Sequence, residues 1–161
     1  MSEPVKARCK CGAVQFDSSS PPLIQFVCHC KDCQIATGLP FAGIVFFKRK
    51  HVEISGDLGQ HLFIANSGKA TSRDYCVKCG TVLFDQSEGF PSIIGIMQEW
   101  ILGDFEFLPQ SHVWVKSKLD EIVIPEGALQ YSENILQPNN FSLTLIKSLA
   151  TQQQGNIWIN I

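Results

Sequence analysis

The sequence contains no apolar run long enough to cross a bilayer. The longest, Phe41 to Phe47, stops far short of the ~20 residues a membrane helix requires, so no membrane partner is expected. A basic stripe is also missing: 13 Lys and Arg stand against 15 Asp and Glu, for a net charge of −2 and a pI near 6.0. Binding to a phosphate backbone needs clustered cations, so no nucleic-acid partner is expected either. The one basic run, Lys48-Arg49-Lys50-His51, lies between two strand-like stretches and reads as a solvated turn. Met1 to Lys10 has no apolar core of a secretory signal, which points to the reducing cytoplasm and to cysteines held as thiols. No Gly-x-Ser-x-Gly elbow and no phosphate-cradling glycine loop occurs, leaving serine catalysis and nucleotide binding without support. Repeats and low-complexity linkers are absent too.

What is present suits one globular domain with a real core: 161 residues, 45% hydrophobic and 17% charged. Short stretches rich in Val, Ile and Phe recur at Ala13 to Phe16, Leu23 to Val27, Phe41 to Phe47, His51 to Ile54, His61 to Ile64, Thr81 to Phe84, Ser92 to Met97, Val113 to Val115 and Glu121 to Ile124. Turn formers bound them, among them Ser18-Ser19-Ser20-Pro21-Pro22, Gly56-Asp57, Asn66-Ser67-Gly68 and Pro125-Glu126-Gly127. This spacing predicts a mainly β fold of short antiparallel strands with little helix. Helical signal is limited to Lys31 to Thr37, ended by Gly38, and to Phe141 to Ala150, which reads equally as strand. The end of the chain, Ile157 to Ile161, alternates like an edge strand.

All seven cysteines fall in three tight clusters: Cys9-Lys10-Cys11-Gly12, Cys28-His29-Cys30-Lys31-Asp32-Cys33 and Cys76-Val77-Lys78-Cys79-Gly80. Core cysteines would scatter, and a disulfide framework favours an even number in a small secreted chain; neither pattern fits. Metal binding does. Zinc is the natural choice, because thiolates suit it and turns bring sulfurs together around a tetrahedral ion. In Cys76-x-x-Cys79 the chain reverses with Gly80 free to take a positive φ, and Cys9-x-Cys11 offers two sulfurs on one side of an extended segment. Two plus two closes a tetrahedron. The remaining three, Cys28, Cys30 and Cys33, lack a fourth cysteine. Closed four-ligand sites are structural, whereas three-ligand sites leave a position for chemistry. His29 alternates away from its neighbours in an extended Cys-x-Cys, which gives it a hydrogen-bonding role rather than ligation. His112 can reach the site only through the fold, and otherwise packs beside Trp114. Three thiolates on Zn²⁺ leave a net charge of −1, a poor Lewis acid for water but a good holder of a substrate thiolate aimed at an electrophile.

The three clusters, in this order and with these neighbours, resemble the glutathione-dependent formaldehyde-activating enzyme (GFA) family, whose fold is similar to that of the zinc-binding Mss4 proteins. The matching text is Cys9-Lys10-Cys11-Gly12-Ala13-Val14, then Cys28 to Gln34 leading into Ala36-Thr37-Gly38, then Tyr75-Cys76-Val77-Lys78-Cys79-Gly80-Thr81. The resemblance covers residues 9 to about 134 in register and divides the chain into a zinc-binding domain, 1–134, and a C-terminal extension, 135–161. It implies an Mss4-like β-sandwich with two zincs per chain: a structural site at Cys9, Cys11, Cys76 and Cys79, and a catalytic site at Cys28, Cys30 and Cys33. The implied reaction joins formaldehyde to glutathione, formally a carbon–sulfur lyase run in reverse, with a small thiol and a small electrophile as partners. The stretch Trp114 to Asp120 lacks the second tryptophan of the family pattern. Arg73 and Lys69 are the cations that could meet a substrate carboxylate, although such side chains usually lie in water.

Two other readings compete with an enzyme. Mss4-like and centromere-associated relatives use such scaffolds to engage proteins, and Cys28, Cys30 and Cys33 could form a redox switch, against which two zincs retained in air would count. The four-plus-three partition makes a direct prediction. Protein made in zinc-sufficient medium should carry close to two zincs per chain by elemental analysis; one or none after gentle purification would reject a two-site arrangement.

Overall fold

A computed structural model describes residues 3–65 and 68–133. The C-terminal extension, the helix or strand expected at Phe141 to Ala150, the edge strand expected at Ile157 to Ile161 and most of the Asn66-Ser67-Gly68 turn lie outside the described residues.

The described chain is mainly β, with two sheets and one short helix. The strands are β1 (Val5–Arg8), β2 (Gln15–Ser18), β3 (Ile24–Cys28), β4 (Ala42–Lys48), β5 (Val52–Ser55), β6 (Leu58–Ile64), β7 (Ala70–Cys76), β8 (Val82–Ser87), β9 (Ile93–Met97), β10 (Ser111–Val113) and β11 (Leu129–Gln130), and helix α1 spans Lys31–Thr37. A small sheet runs β1-β2-β5 and a large one runs β11-β10-β3-β4-β9-β8-β7-β6. Pairing is antiparallel except at one edge, where β10 lies parallel to both β3 and β11.

Strand β4 explains where the core sits. Its sequence, Ala-Gly-Ile-Val-Phe-Phe-Lys, is apolar at consecutive positions, the pattern of a strand covered on both faces. Because side chains alternate, Val45 and Phe47 enter one cluster with Val14, Phe16, Phe84 and Ile96, between the two sheets. Ile44 and Phe46 enter the other, with Ile24, Phe26, Met97 and Val113, on the side where Cys28 and Cys33 lie. Ring contacts join each set: Phe16 to Phe47 at 5.3 Å and Phe26 to Phe46 at 5.1 Å.

Most expected strands form within a few residues of their predicted bounds, and α1 spans the expected residues with Gly38 at its end, its N–H on the Gln34 carbonyl. The basic run turns through Arg49–His51 with Arg49 and Lys50 exposed. Three differences have physical causes. Glu121 to Ile124 is not a strand: the Lys118 ammonium satisfies the carbonyls of Leu119 and Ile122 at 3.0 and 2.7 Å, and Val123 is exposed. Strand β1 escaped notice because two of its four residues are charged, yet it pairs with β2 and buries Ala7. Strand β7 escaped because Thr71, Ser72, Arg73 and Asp74 are polar, and all four are buried.

The turn from β5 to β6 presses on the segment that carries the first cysteines. Gly56 holds φ +100°, and a Cβ there would meet the Ala13 carbonyl oxygen at 2.3 Å and Val14 Cα at 2.9 Å. Backbone cannot step aside as a flexible side chain would. Gly56→Ala should therefore lower stability by at least ~2 kcal/mol, read as a lower urea midpoint at unchanged slope. An unaltered midpoint would show that this turn yields.

Candidate metal centres and cleft

The first cysteine pair sits in the connection from β1 to β2, the second in the connection from β7 to β8. Both turns close the same way. Cys9 donates its N–H to the Val14 carbonyl at 3.0 Å, and Cys76 donates to Thr81 at 2.9 Å, in each case five residues on. Glycine then completes the reversal: the Gly12 N–H reaches the Cys9 carbonyl and the Gly80 N–H the Cys76 carbonyl, with Gly80 at the expected positive φ, +75°. Together the turns place the sulfurs of Cys9, Cys11, Cys76 and Cys79 within 4.8 Å of one another. A tetrahedron of ~2.3 Å zinc–sulfur bonds has sulfurs ~3.8 Å apart. The Cys9–Cys11 and Cys11–Cys76 separations are 3.6 and 3.8 Å, so this donor set fits such an ion without rearrangement.

Nearby donors favour thiolate at Cys9 and Cys79, whereas at Cys11 the Ala13 backbone contact is outweighed by desolvation and the neighbouring sulfurs, which push it up to about 11. The Val14 N–H donates to Cys9 Sγ at 3.3 Å, and Thr81 Oγ1 lies 3.0 Å from Cys79 Sγ. Hydrogen bonds from the Thr81 side chain and backbone bring Cys79 down to about 5. Because one turn belongs to the small sheet and the other to the large sheet, an ion held here would tie the two sheets together.

The second cluster forms where β3 ends and α1 begins. Cys28 closes the strand, Cys30 precedes the helix and accepts the Cys33 N–H at 3.3 Å, and Cys33 lies in the first turn. Gln34 pins the helix by donating to the carbonyls of His29 and Ser117 at 2.9 and 3.1 Å. The three sulfurs again lie within 4.8 Å of each other, and no His nitrogen or carboxylate oxygen among the described residues joins them. None of the seven cysteines is joined in a disulfide. Hydrogen bonds shared with Cys28 and Cys33, opposed by burial and aided by the Cys33 N–H and Arg73, hold Cys30 down to about 2. The same contacts, with burial, push Cys28 well above the ordinary thiol value. Negative charge in this trio thus settles on one sulfur even with Arg73 beside it; a divalent ion would let all three ionise.

Arg73 was expected at the surface, and there the structure corrects the reading. It is only 8% exposed. Its Nη2 donates to Cys33 Sγ at 3.1 Å, its Nη1 donates to the Asp32 carbonyl at 3.1 Å, and its Nε faces Asp85 in an ion pair at 3.4 Å. Burial works to lower its pKa, but the charges of Cys33, Asp85 and Cys30 outweigh that and raise it. The pairing follows from register, since Arg73 stands directly opposite Asp85 on β8. No local signal in the sequence marked this residue. Only the pairing of β7 with β8 and the packing of α1 bring it to the cysteines. Lys69 is not part of the cleft lining.

The parallel edge supplies the histidines. Strand β10 sets Val113 beside Cys28 and His112 beside Val27. His112 Nδ1 comes to 3.0 Å from His29 Nε2, the rings stacked at 5.3 Å, so His29 has the hydrogen-bonding role expected of it. Burial above all, with the His112 charge next, lowers His29 to about 4, and burial lowers His112, which keeps the pair neutral at pH 7. Trp114 follows in the left-handed region, φ 57°, unusual for a bulky residue, with Lys116 Nζ 5.1 Å from its ring centroid.

The triad opens into a cavity of about 120 Å³ walled by Phe26, Ile44, Phe46, Phe63, Val113 and Trp114, with Arg73 beside Cys33 and Asp85 also on the lining. The model of the glutathione-dependent formaldehyde-activating enzyme family matches residues 4–117. The chain belongs to this family. A solved structure of a Rhodobacter sphaeroides protein is 19% identical to this GFA chain, covering 78% of it and 98% of that protein, with a TM-score of 0.47. No curated protein matches.

The two clusters should separate by consequence. A structural zinc contributes ~10–16 kcal/mol on binding, against a net domain stability of only ~5–15 kcal/mol. Cys11→Ser or Cys76→Ser should give molten or insoluble protein. Cys30→Ser should stay folded by circular dichroism and lose one metal. Equal melting temperatures for all three variants would contradict the division.

Proposed function

We propose that this GFA-family chain is a zinc-dependent enzyme of the carbon–sulfur lyase type, acting on the adduct of a small thiol, as glutathione is, and a small carbonyl electrophile, as formaldehyde is. The observation that carries this reading is the triad itself: three sulfurs grouped at the wall of a cavity, with no fourth ligating atom among the described residues. Two zincs per chain are proposed, one closed by Cys9, Cys11, Cys76 and Cys79, the other held by Cys28, Cys30 and Cys33. An ion at the triad would supply a position for the substrate sulfur and lower the pKa of its thiol.

The chain's own residues do the rest. With all three sulfurs ionised around a divalent ion the site would carry a net −1, which Arg73, donating to Cys33, would offset in a setting of low dielectric. Phe26, Phe46 and Trp114 keep water away from the reacting sulfur. In the forward direction the thiolate sulfur forms the bond to the carbonyl carbon, and the C=O π pair moves to oxygen. The proton given up by the thiol ends on that oxygen. The step is redox-neutral, and the reverse breaks the same carbon–sulfur bond.

A second reading, a zinc-scaffolded module that binds proteins, draws on the exposed Leu62 and Ile64 of edge strand β6. X-ray absorption at the zinc edge separates the two. In free protein the average shell should contain a lighter atom beside sulfur, and millimolar thiol should replace it with sulfur. If four sulfurs or a histidine nitrogen already fill the triad site and no thiol alters it, the enzymatic reading fails.

A further inference from the structure

Strands β7 and β8 bring two cross-strand pairs of polar residues to the cavity, Arg73 opposite Asp85 and Thr71 opposite Ser87. On its other side Asp85 stands opposite Gly95 of β9, and the Phe46 ring of β4 fills the place of the missing side chain, since a Cβ at residue 95 would meet that ring at 2.9 Å. Arg73 is thus the cross-strand partner that balances the Asp85 charge.

That balance is incomplete. A buried arginine and a carboxylate usually meet through short, parallel hydrogen bonds. Here Nη2 of Arg73 is committed to Cys33 Sγ and Nη1 to the Asp32 carbonyl. The remaining nitrogen, Nε, lies 3.4 Å from Asp85 Oδ2, yet it is buried with no hydrogen-bond partner among the described residues. An orphaned buried donor is costly, and in a native structure it calls for a role. Asp85 is also distinctive. Of the two carboxylates lining the cavity among the described residues, Asp32 is exposed, whereas the Asp85 side chain is only 16% exposed. Burial pushes Asp85 up against the pull of Arg73, with Cys30 and Asp74 acting in the same direction as burial.

Adding a thiol to a carbonyl makes two demands at the oxygen. A donor must meet the negative charge that develops there, and an acid must deliver a proton. An N–H without a partner and a carboxyl group 3.4 Å from it can meet both.

We propose that Arg73 and Asp85 form the site for the oxygen of the electrophile: Arg73 Nε–H donates to that oxygen, and Asp85 hands it the proton taken from the thiol. The inference rests on the thiol-holding reading of the triad and adds the group that carries the proton. In the forward direction the Asp85 carboxylate accepts the proton as the thiol ionises. The sulfur forms its bond to the carbonyl carbon, the C=O π pair moves onto oxygen, and Asp85 returns the proton there. In reverse the carboxylate takes the hydroxyl proton, C=O reforms as the carbon–sulfur bond breaks, and the proton passes back to sulfur. Nothing is oxidised or reduced. Reach is short, because the oxygen stands two bonds from the sulfur and one guanidinium touches both Cys33 and Asp85.

The chain has three arginines, and Arg8 and Arg49 are exposed, so Arg73 should give the slowly exchanging Nε–H signal in a heteronuclear NMR spectrum. Glutathione is added to zinc-loaded protein first alone and then with formaldehyde. The Arg73 signal should move downfield when formaldehyde follows, beyond any change the thiol causes. If zinc-edge absorption shows that glutathione enters while formaldehyde leaves the Arg73 signal in place, the inference is overturned and the thiol-holding reading stands. If glutathione changes neither spectrum, both fall. Asp85→Asn tests the proton step. Folded protein with two zincs should lose about 100-fold in the rate at which isotopically labelled formaldehyde exchanges with its glutathione adduct. Undiminished exchange in that variant would overturn the role of Asp85, and the NMR arm, which uses the unaltered chain, decides the matter should the variant not fold.

Discussion

Negative charge on buried sulfur is the constraint on which the rest of this structure turns. Thiolates are useful as ligands only when ionised, and several of them cannot ionise together in a region of low dielectric without positive charge nearby. The chain meets this need at short range. Backbone and hydroxyl donors point at Cys9 and Cys79, the Cys33 N–H at Cys30, and Arg73 at Cys33. Each donor requires a particular turn or strand pairing, so the electrostatic demand of the sulfurs propagates into backbone conformation. The buried polar strand β7 is the clearest case. Arg73 is tolerated inside because Asp85 and Cys33 flank it, and Asp74 because Gln86 donates to it at 2.6 Å.

The two clusters then divide the work by position. Cys9 and Cys11 leave the small sheet and Cys76 and Cys79 leave the large one, so the four-sulfur cluster links elements more than sixty residues apart in the chain. Loss of that link would release the small sheet from the core shared by Phe16, Phe47 and Phe84. The three-sulfur cluster bridges only β3 and the helix that follows it, a local connection that the Gln34 hydrogen bonds already hold. A long-range link constrains the unfolded chain far more than a local one does. On the proposed reading, the first cluster would carry the structural burden while the second faces a cavity.

Legibility in the sequence followed the range of the interaction. The helix bounds, the turns at the cysteines and the alternation of β4 are local, and each could be read from residue order: Gly38 and Gly80 as chain-reversing positions, Val45 and Phe47 against Ile44 and Phe46 as two faces. The partition of seven cysteines into four and three was readable for the same reason, since each pair or trio is nearly contiguous. Arg73 was not. Its role depends on β7 lying opposite β8 and on α1 coming within hydrogen-bond reach of Arg73, and no spacing rule connects residue 73 to residue 33. The approach of His112 to His29 was equally hidden, because it depends on a parallel pairing at the edge of a sheet that is otherwise antiparallel. Polar residues misled twice for one reason: a strand made of Thr, Ser, Arg and Asp is assigned to solvent unless its partners are known.

The same dependence on range separates the sulfur clusters from the walls of the cavity. The sulfurs and their donors lie in turns and at the start of a helix, where a substitution would disturb charge balance and fold together. The walls of the cavity come instead from strand faces, Phe46 from β4, Thr71 and Arg73 from β7, Asp85 and Ser87 from β8. Exchanging an alternate strand residue changes one face and leaves the backbone pairing intact. The sulfurs are thus held by parts that resist change, while the cavity walls come from parts that accept it. In this chain those walls are aromatic and aliphatic at Phe26, Ile44 and Phe46, and polar at Thr71, Arg73, Asp85 and Ser87.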